Sequence, residues 1–342
     1  MGLHSPPQST TTSDPPFAFD SSVADSTLTG ALAILRKRRW VLIIVVIAGV
    51  FVGLYRAMTL TPRSVIVLTI TLIALLGGVI LLFLLESLGT GLRSINEIEG
   101  LTQLPSLALI PRADSASSKS VAGLSVTQKN TGVLATPRSQ FAEAFRSLRT
   151  SLSLETTGLP PKFILITSAT PSEGKTTVAT NLACVLAQPN ARVLLIDADL
   201  RKPDIHHRFG LTGKIGLSTV LSRSATFQSA VAKISDAPNL DVLASGPVPP
   251  FPTEMLNSQA MIDLLAQCAE IYTHIVVDSP PVLSVADSTI LAQSMDTVVL
   301  VIWHGKVSRK AVRRTRDLLR QSAAPVTGVV LNAVKIDALN KG

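Results

Sequence analysis

Two patterns of apolar residues divide the chain. Between Trp40 and Leu85 apolar positions run on with no polar face, whereas from about Pro137 they come in short blocks separated by longer amphipathic stretches. The blocks are FILIT (163–167), VLLID (193–197), DVLA (241–244), HIVVD (274–278), VVLVI (298–302) and GVVLN (328–332). Uninterrupted apolar blocks of this length mark strands buried on both faces, and the stretches between them have helical spacing. Alternation of the two predicts an α/β domain over 136–342, with a mostly parallel central sheet and helices on both faces. Arg93 to Arg112 reads as a short helix followed by a further strand, and 113–135, bearing Ser, Thr and Gly without periodicity, reads as a linker. The segment 88–135 is thus expected to be juxtamembrane helix, strand and linker.

The first pattern is that of a membrane hairpin, over 35–87. WVLIIVVIAGVFVGLY (40–55) covers about 24 Å as a helix, and it reaches a comfortable spanning length at residue 60 if Arg56 snorkels outward. Residues 64–85 are long enough alone. Arg36-Lys37-Arg38-Arg39 precede the first span, while only Arg56 and Arg63 flank the turn at Thr61-Pro62. The excess of cations before the first span places both termini in the cytoplasm, with the chain a multi-pass protein of the cytoplasmic (inner) membrane. Residues 1–34, rich in Ser, Thr and Pro, read as a disordered cytoplasmic tail and lack the layout of a secretory signal.

Composition adds little to this and removes some options. Apolar residues make up 46% of the chain and aromatics 4%, which suits an Ala/Val/Leu-rich sheet protein with membrane segments. The formal charge is +8. Part of it lies in a second basic cluster from Lys306 to Arg320, read as a solvated helix face, so no nucleic-acid partner is expected. Cys184 and Cys268 lack metal-ligand spacing and read as reduced, packed thiols. His206-His207 read as a helix surface.

Chemistry is concentrated at strand ends. FILIT runs into Ala169-Thr-Pro-Ser-Glu-Gly174-Lys175-Thr176-Thr177, and a helical stretch follows. This is the phosphate-loop pattern, with Ala in place of its first Gly. A tight turn at a helix N-terminus aims backbone N–H groups at a phosphate, Lys175 supplies a mobile positive charge, and Thr176 supplies a hydroxyl for Mg²⁺. Ser172, Glu173, Gly174, Lys175, Thr176 and Thr177 are therefore the candidate nucleotide-binding residues. Two more blocks end in acid, at Asp197 (followed by Ala198-Asp199) and at Asp278. In a parallel sheet the carboxyl ends of strands face one crevice, so these carboxylates can converge on the metal and the nucleophile. Any one of them alone reads as a turn residue.

With these motifs in view, the sequence resembles the bacterial tyrosine kinases of capsule and exopolysaccharide assembly. The resemblance rests on the phosphate loop, on Leu194-Leu-Ile-Asp-Ala-Asp-Leu-Arg-Lys-Pro203 and on Ile275-Val-Val-Asp-Ser-Pro-Pro281. It extends to Glu143-x-x-Arg146-x-x-Arg149, His207-Arg-Phe-Gly-Leu211, Gly216-Leu-Ser218, Ser245-Gly-Pro-Val-Pro-Pro250 and Glu254-Met-Leu256, and covers roughly 88–342. It implies a P-loop NTPase fold with an ATP and Mg²⁺ site, in a homo-oligomeric ring whose subunits phosphorylate tyrosines of their neighbours. It also implies contact with polysaccharide polymerisation and export machinery. By that resemblance Lys175 stabilises the transferred phosphoryl group, Asp197 orients or deprotonates the tyrosine, and Thr176, Asp199 and Asp278 hold the metal; Asp199 thus serves catalysis as well. Glu143, Arg146 and Arg149 would make the ring contact, although their spacing also fits an ion-pair ladder along one helix. Asn332 would read the adenine or cap a strand.

Two departures from the family bear on function. Its carboxyl-terminal tyrosine cluster is absent: the chain holds only Tyr55 and Tyr272, so the acceptor is expected to be a tyrosine in trans. The external domain usually found between the spans is also absent, with only Thr61-Pro62-Arg63 in its place. Two alternatives to a kinase remain: a non-catalytic ATP-binding regulator of polysaccharide assembly, and a membrane ATPase of the partitioning or division-site class. The second typically has an extra lysine early in its phosphate loop, and 168–173 contains none.

Overall fold

A computed structural model of the chain describes residues 72, 75–78, 95–112, 131–155, 161–187, 189 and 191–334. The chain divides into two units, Met1–Ser87 and Leu88–Gly342. In the first unit only residues 72 and 75–78 are described, all helical, so the expected tail, both expected spans and their orientation fall almost wholly outside the described residues. Among the described residues no helix is long and apolar enough to cross a membrane.

The second unit begins with α1 (Ile95–Thr102), β1 (Ser106–Pro111), α2 (Gly132–Ala135) and α3 (Gln140–Glu155). Next come β2 (Phe163–Ser168), α4 (Lys175–Leu186), β3 (Val193–Asp197), α5 (Ile205–Phe209), α6 (Leu217–Leu221) and α7 (Phe227–Ala230). They are followed by β4 (Val231–Ile234), β5 (Ala237–Leu243), α8 (Pro252–Leu256), α9 (Gln259–Ile271) and β6 (His274–Asp278). The last elements are α10 (Asp287–Ala292), β7 (Thr297–Trp303), α11 (Arg309–Gln321) and β8 (Val326–Val334). Eight strands form one sheet in the order β1-β8-β7-β2-β6-β3-β5-β4. Every neighbouring pair is parallel except β4 with β5.

Period-two alternation sends each central strand to both faces of the sheet. Ile164 and Ile166 of β2, with Val193 and Leu195 of β3, pack beneath α3 and α4 in a core that includes Phe145, Leu148 and Leu182. Leu165, Leu194 and Ile196 point the other way, into a core with Met261, Leu264, Leu265 and Cys268 of α9. Both cysteines are buried and free, and burial pushes each thiol up to about 12. A third cluster joins Ile98 of α1 to Leu300, Ile302, Val312 and Leu331.

All six expected strands form, and the helix and strand expected between 93 and 112 are α1 and β1. Three differences have local causes. The strand containing DVLA begins four residues earlier, at Ala237, and closes an antiparallel edge with β4, whose four residues are too few to show a period. The end of the expected linker folds as α2, where Val133 is buried and its N–H donates to Asn181 Oδ1 at 2.9 Å. Strand β8 runs two residues past Asn332, which is therefore inside the strand and not at its end.

Helix α3 illustrates how the sheet is covered. Its buried positions Ala142, Phe145, Leu148 and Leu152 recur at spacings of three and four, the stripe of a helix packed on one side. Phe145 is fully buried, its ring 5.0 Å from that of Phe141. Phe145→Ala is expected to lower unfolding stability by about 3–5 kcal/mol, seen as a reduced denaturant midpoint at unchanged slope.

Candidate nucleotide site

The site is built at the carboxyl ends of three adjacent strands. β2 lies beside β6 with Ile166 level with Asp278, and β6 lies beside β3 with Asp278 level with Asp197. The loop leaving β2 folds back over these ends before entering α4, and two residues in it take positive φ, Ser172 at 63° and Gly174 at 86°. Gly174 is required on two counts. The left-handed backbone disfavours any side chain, and a Cβ there would lie 2.0 Å from Asn332 Nδ2. Immediately after it, the first turn of α4 presents N–H groups that helix geometry leaves without an intrahelical acceptor, and that turn carries no acid.

Lys175, first in α4, turns its ammonium into the carboxylates. Nζ lies 2.9 Å from Asp199 Oδ2, 3.6 Å from Asp278 Oδ2 and 3.3 Å from Thr176 Oγ1. Burial opposes the charge on this lysine, but Asp278 and Asp199 outweigh it, so the ammonium is held above its usual range. Asp278 is raised by its own burial, offset in part by Lys175 and Thr176. Its Oδ1 is buried without a hydrogen-bond partner. A buried, unpartnered carboxylate oxygen is expensive and calls for a ligand. This atom, the Thr176 hydroxyl, the Lys175 ammonium and the bare turn of α4 together fit a nucleotide phosphate with its Mg²⁺. Among the described residues there is no protein-only cluster of metal ligands. His206 and His207 lie on α5 with their ring centroids 3.9 Å apart and tilted by 38°.

Asp197 is placed differently from its two partners. It is fully buried. Its Oδ2 accepts from the N–H groups of Asp204 (3.2 Å) and Ile205 (3.1 Å), and its Oδ1 from Asp199 N–H at 3.3 Å. Both oxygens therefore shape the 198–205 loop. Burial, and then the neighbouring charge of Asp278, push its carboxyl up to about 8.

Two residues read from sequence as nucleotide contacts brace the loop from behind. The Glu173 side chain is buried, with Oε1 accepting from the N–H and hydroxyl of Thr170 and Oε2 from Trp303 N–H at 3.2 Å. Asn332 donates from Nδ2 to the Glu173 carbonyl at 2.9 Å, and its Oδ1 accepts from Ala333 N–H. Both ends of its amide are thus engaged within the fold. Ser172 offers its carbonyl to Lys306 Nζ at 3.3 Å, and the Thr177 carbonyl accepts from Asn181 at 2.8 Å.

Some participants were not foreseen. Arg201, in the loop that Asp197 shapes, forks onto fully buried Asp287 at 2.9 Å and onto Thr253 Oγ1 at 2.8 Å, while Thr253 donates to Asp287 at 2.6 Å. This ties the acidic loop to α8 and α10. Arg201 stood within a quoted motif, but Asp287 and Thr253 are distant in sequence and no spacing points to them. Away from the site, Glu143 and Arg146 pair within α3, Arg146 also reaches the Pro137 carbonyl at 2.6 Å, and Arg149 donates to the Val185 carbonyl at the end of α4 (3.3 Å). The three are brought to one helix, and each has a partner within the chain.

A strand, a glycine-bearing loop and a helix N-terminus, with acids on the neighbouring strands, define a P-loop nucleoside-triphosphatase domain. A family model described as "ParA: NUBPL iron-transfer P-loop NTPase" matches residues 161–341. Within that class the similarity is narrower. The chain is 39% identical over 209 residues to the tyrosine-protein kinase YwqD of Bacillus subtilis, covering 61% of this chain and 88% of that one. The tyrosine-protein kinase wzc of Salmonella typhimurium is 32% identical over 272 residues, covering 76% of this chain but only 38% of that longer protein. The solved kinase domain of the Escherichia coli tyrosine kinase ETK superposes with a TM-score of 0.66 at 30% identity, covering 72% of this chain and 96% of that domain. The chain belongs to the bacterial tyrosine-protein kinases.

Two predictions follow from the geometry. Because the Asp197 carboxyl titrates near 8 in the folded chain and near 3.8 when unperturbed, the folded state holds the extra proton between those values. Its contribution to stability is complete below about pH 4 and is lost as pH rises through about 8. Asp197→Asn should therefore gain stability relative to the parent as pH is raised from about 5 to about 9, measured by chemical unfolding without nucleotide. Asn332→Ala, which strips the Glu173 carbonyl of its donor, should cost about 1–3 kcal/mol and weaken ATP binding in calorimetry.

Proposed function

We propose that this chain is a membrane-anchored, Mg²⁺- and ATP-dependent protein-tyrosine kinase acting in capsule or exopolysaccharide assembly, with its phosphoacceptor in trans. The observation that carries the reading is the convergence of Lys175, Thr176, Asp199 and Asp278 at the foot of α4, with Asp278 Oδ1 unpartnered. Thr176, Asp199 and Asp278 would hold Mg²⁺, which would neutralise phosphate charge when bound. Phosphoryl transfer depends chiefly on positioning and charge neutralisation, so a compact set of groups is sufficient.

Each residue has a task. Lys175 bridges Asp199 and Asp278 in this structure, and its flexible stem lets it pass to the phosphate oxygens, where its charge follows the transferred group. Backbone N–H groups of the loop and of the first α4 turn orient the phosphates. Asp197 orients the incoming hydroxyl or takes its proton; reaching it requires the 198–205 loop to move, because that loop now occupies both carboxylate oxygens. The Arg201–Asp287 pair limits where the loop can go.

Tyr272 supports an acceptor in trans. It is buried, its hydroxyl donates to Asp241 Oδ2 at 2.8 Å, and Arg192 lies over its ring. The same observation favours the second reading, an ATP-binding regulator of polysaccharide assembly that transfers no phosphate. The remaining parts of the proposal are anchoring by 40–60 and 64–85 with both ends cytoplasmic, and a ring built through Glu143, Arg146 and Arg149. The family resemblance supports both, and supports partnership with the polymerisation and export machinery.

Purified full-length chain, incubated with Mg²⁺-ATP alone and with membrane extract of its host, is expected to yield phosphotyrosine peptides by mass spectrometry. Lys175→Met should lose the signal by about a thousandfold or more while unfolding as the parent does. ATP binding or hydrolysis with no phosphotyrosine would hand the function to the regulator.

A further inference from the structure

Helix α11 is cationic where helix stability favours acid. Its first turn begins Arg309-Lys310 and holds no acidic residue, so these charges oppose the partial positive charge of the helix N-terminus. The helix is held instead by the Ser308 hydroxyl, which accepts from Ala311 N–H at 3.3 Å, and by buried Val312, Thr315 and Leu319. Its cations fall into two groups. Arg309, Arg316 and Arg320 turn to α1, engaging Glu97, the Leu101 carbonyl (2.7 Å) and Gln103 Oε1 (2.7 Å). Lys310, Arg313 and Arg314 are exposed, and have no bonded partner among the described residues. The acid on this helix, Asp317, is taken by Arg316 at 2.7 Å.

The pairs with α1 also fix a direction. Glu97 meets Arg309 near the start of both helices, and Gln103 meets Arg320 near their ends, so α1 and α11 run side by side in the same sense. Ile95, the first described residue of this unit, therefore lies beside the first turns of α11. At most about 35 Å of extended chain joins Leu85 to Ile95. The three unpartnered cations thus cluster near Ile95, ten residues along the chain from the apolar stretch.

We propose that Lys310, Arg313 and Arg314 are a docking surface for anionic lipid headgroups of the bilayer holding the segments 40–60 and 64–85. This rests on the two-span reading above. A lipid surface offers a mobile array of phosphates, which long, solvated side chains engage without fixed stereochemistry. Each cation near such a surface strengthens association roughly fivefold, and the effect is screened by salt. Lys306, three residues before the helix, reaches the Ser172 carbonyl and lies 5.5 Å from the Trp303 ring. Docking would hold the nucleotide loop next to the membrane.

Trp303 provides the reporter. Trp40→Phe leaves it the single tryptophan, and energy transfer from it to a dansyl-labelled headgroup reads proximity to lipid. The full chain is reconstituted in nanodiscs of phosphatidylcholine, alone or with phosphatidylglycerol. Transfer is expected to rise in the anionic discs. It should fall back to the neutral-disc level in high salt and in the triple variant Lys310→Gln, Arg313→Gln, Arg314→Gln, with ATP binding unchanged. Equal transfer in neutral and anionic discs overturns the surface while leaving the spans in place. Failure of the chain to enter either disc overturns the spans and the surface together. Transfer blind to lipid charge, with duplex DNA bound by the parent and released by the triple variant, assigns the cations to nucleic acid and overturns the proposal.

Discussion

The ammonium of Lys175 between the Asp199 and Asp278 carboxylates is the contact on which the carboxyl edge of the sheet depends. Carboxyl groups are rarely left in the interior unless a cation or a set of donors compensates them. Here the two means are divided. Lys175 serves Asp199 and Asp278, whereas three backbone N–H groups serve Asp197. The division gives the carboxylates different freedoms. Asp278 meets the Lys175 side chain, and Asp199 accepts from Lys202 N–H at 3.0 Å as well as meeting Lys175. Asp197 cannot be freed unless the loop that carries Asp199 and Arg201 rearranges. Access to Asp197 and the conformation of the loop that carries Asp199 are therefore coupled through one side chain.

The bracing behind the phosphate loop follows from a similar constraint. A loop that turns its N–H groups toward a phosphate has carbonyls that must be satisfied from the other side. Asn332 supplies one such donor from within β8 and Lys306 another from just beyond β7, and the Glu173 carboxylate ties Thr170 to Trp303. The loop is in effect laced to two strands beyond the one that bears it. Its shape depends on the sheet as a whole.

Much of this was legible in the sequence because the informative features are local. Apolar blocks such as HIVVD announce strands buried on both faces, and an acid at the end of such a block announces a crevice. The phosphate loop declares itself by residue type at fixed spacing. What escaped reading depends on contacts between distant segments. Asn332 closes an apolar block as the acids do, but the strand runs on past it, and nothing nearby in sequence reveals that its amide faces Glu173. Arg201, Thr253 and Asp287 meet only once α8 and α10 have packed. β4 is too short for its period to register. Glu143, Arg146 and Arg149 have a spacing that serves an intrachain role equally well, and within one chain they fill that role.

The placement of β1 changes the meaning of the stretch that follows it. β1 pairs with β8 along the sheet edge, and Arg112 N–H donates to the Val334 carbonyl at 2.9 Å. On the far side of the stretch, Thr131 is fully buried and Val133 is bonded to Asn181. Residues 113–130 thus leave one body and return to the same body. They are an excursion, not a spacer. A change in their length would therefore act within this domain, between the sheet edge and α2.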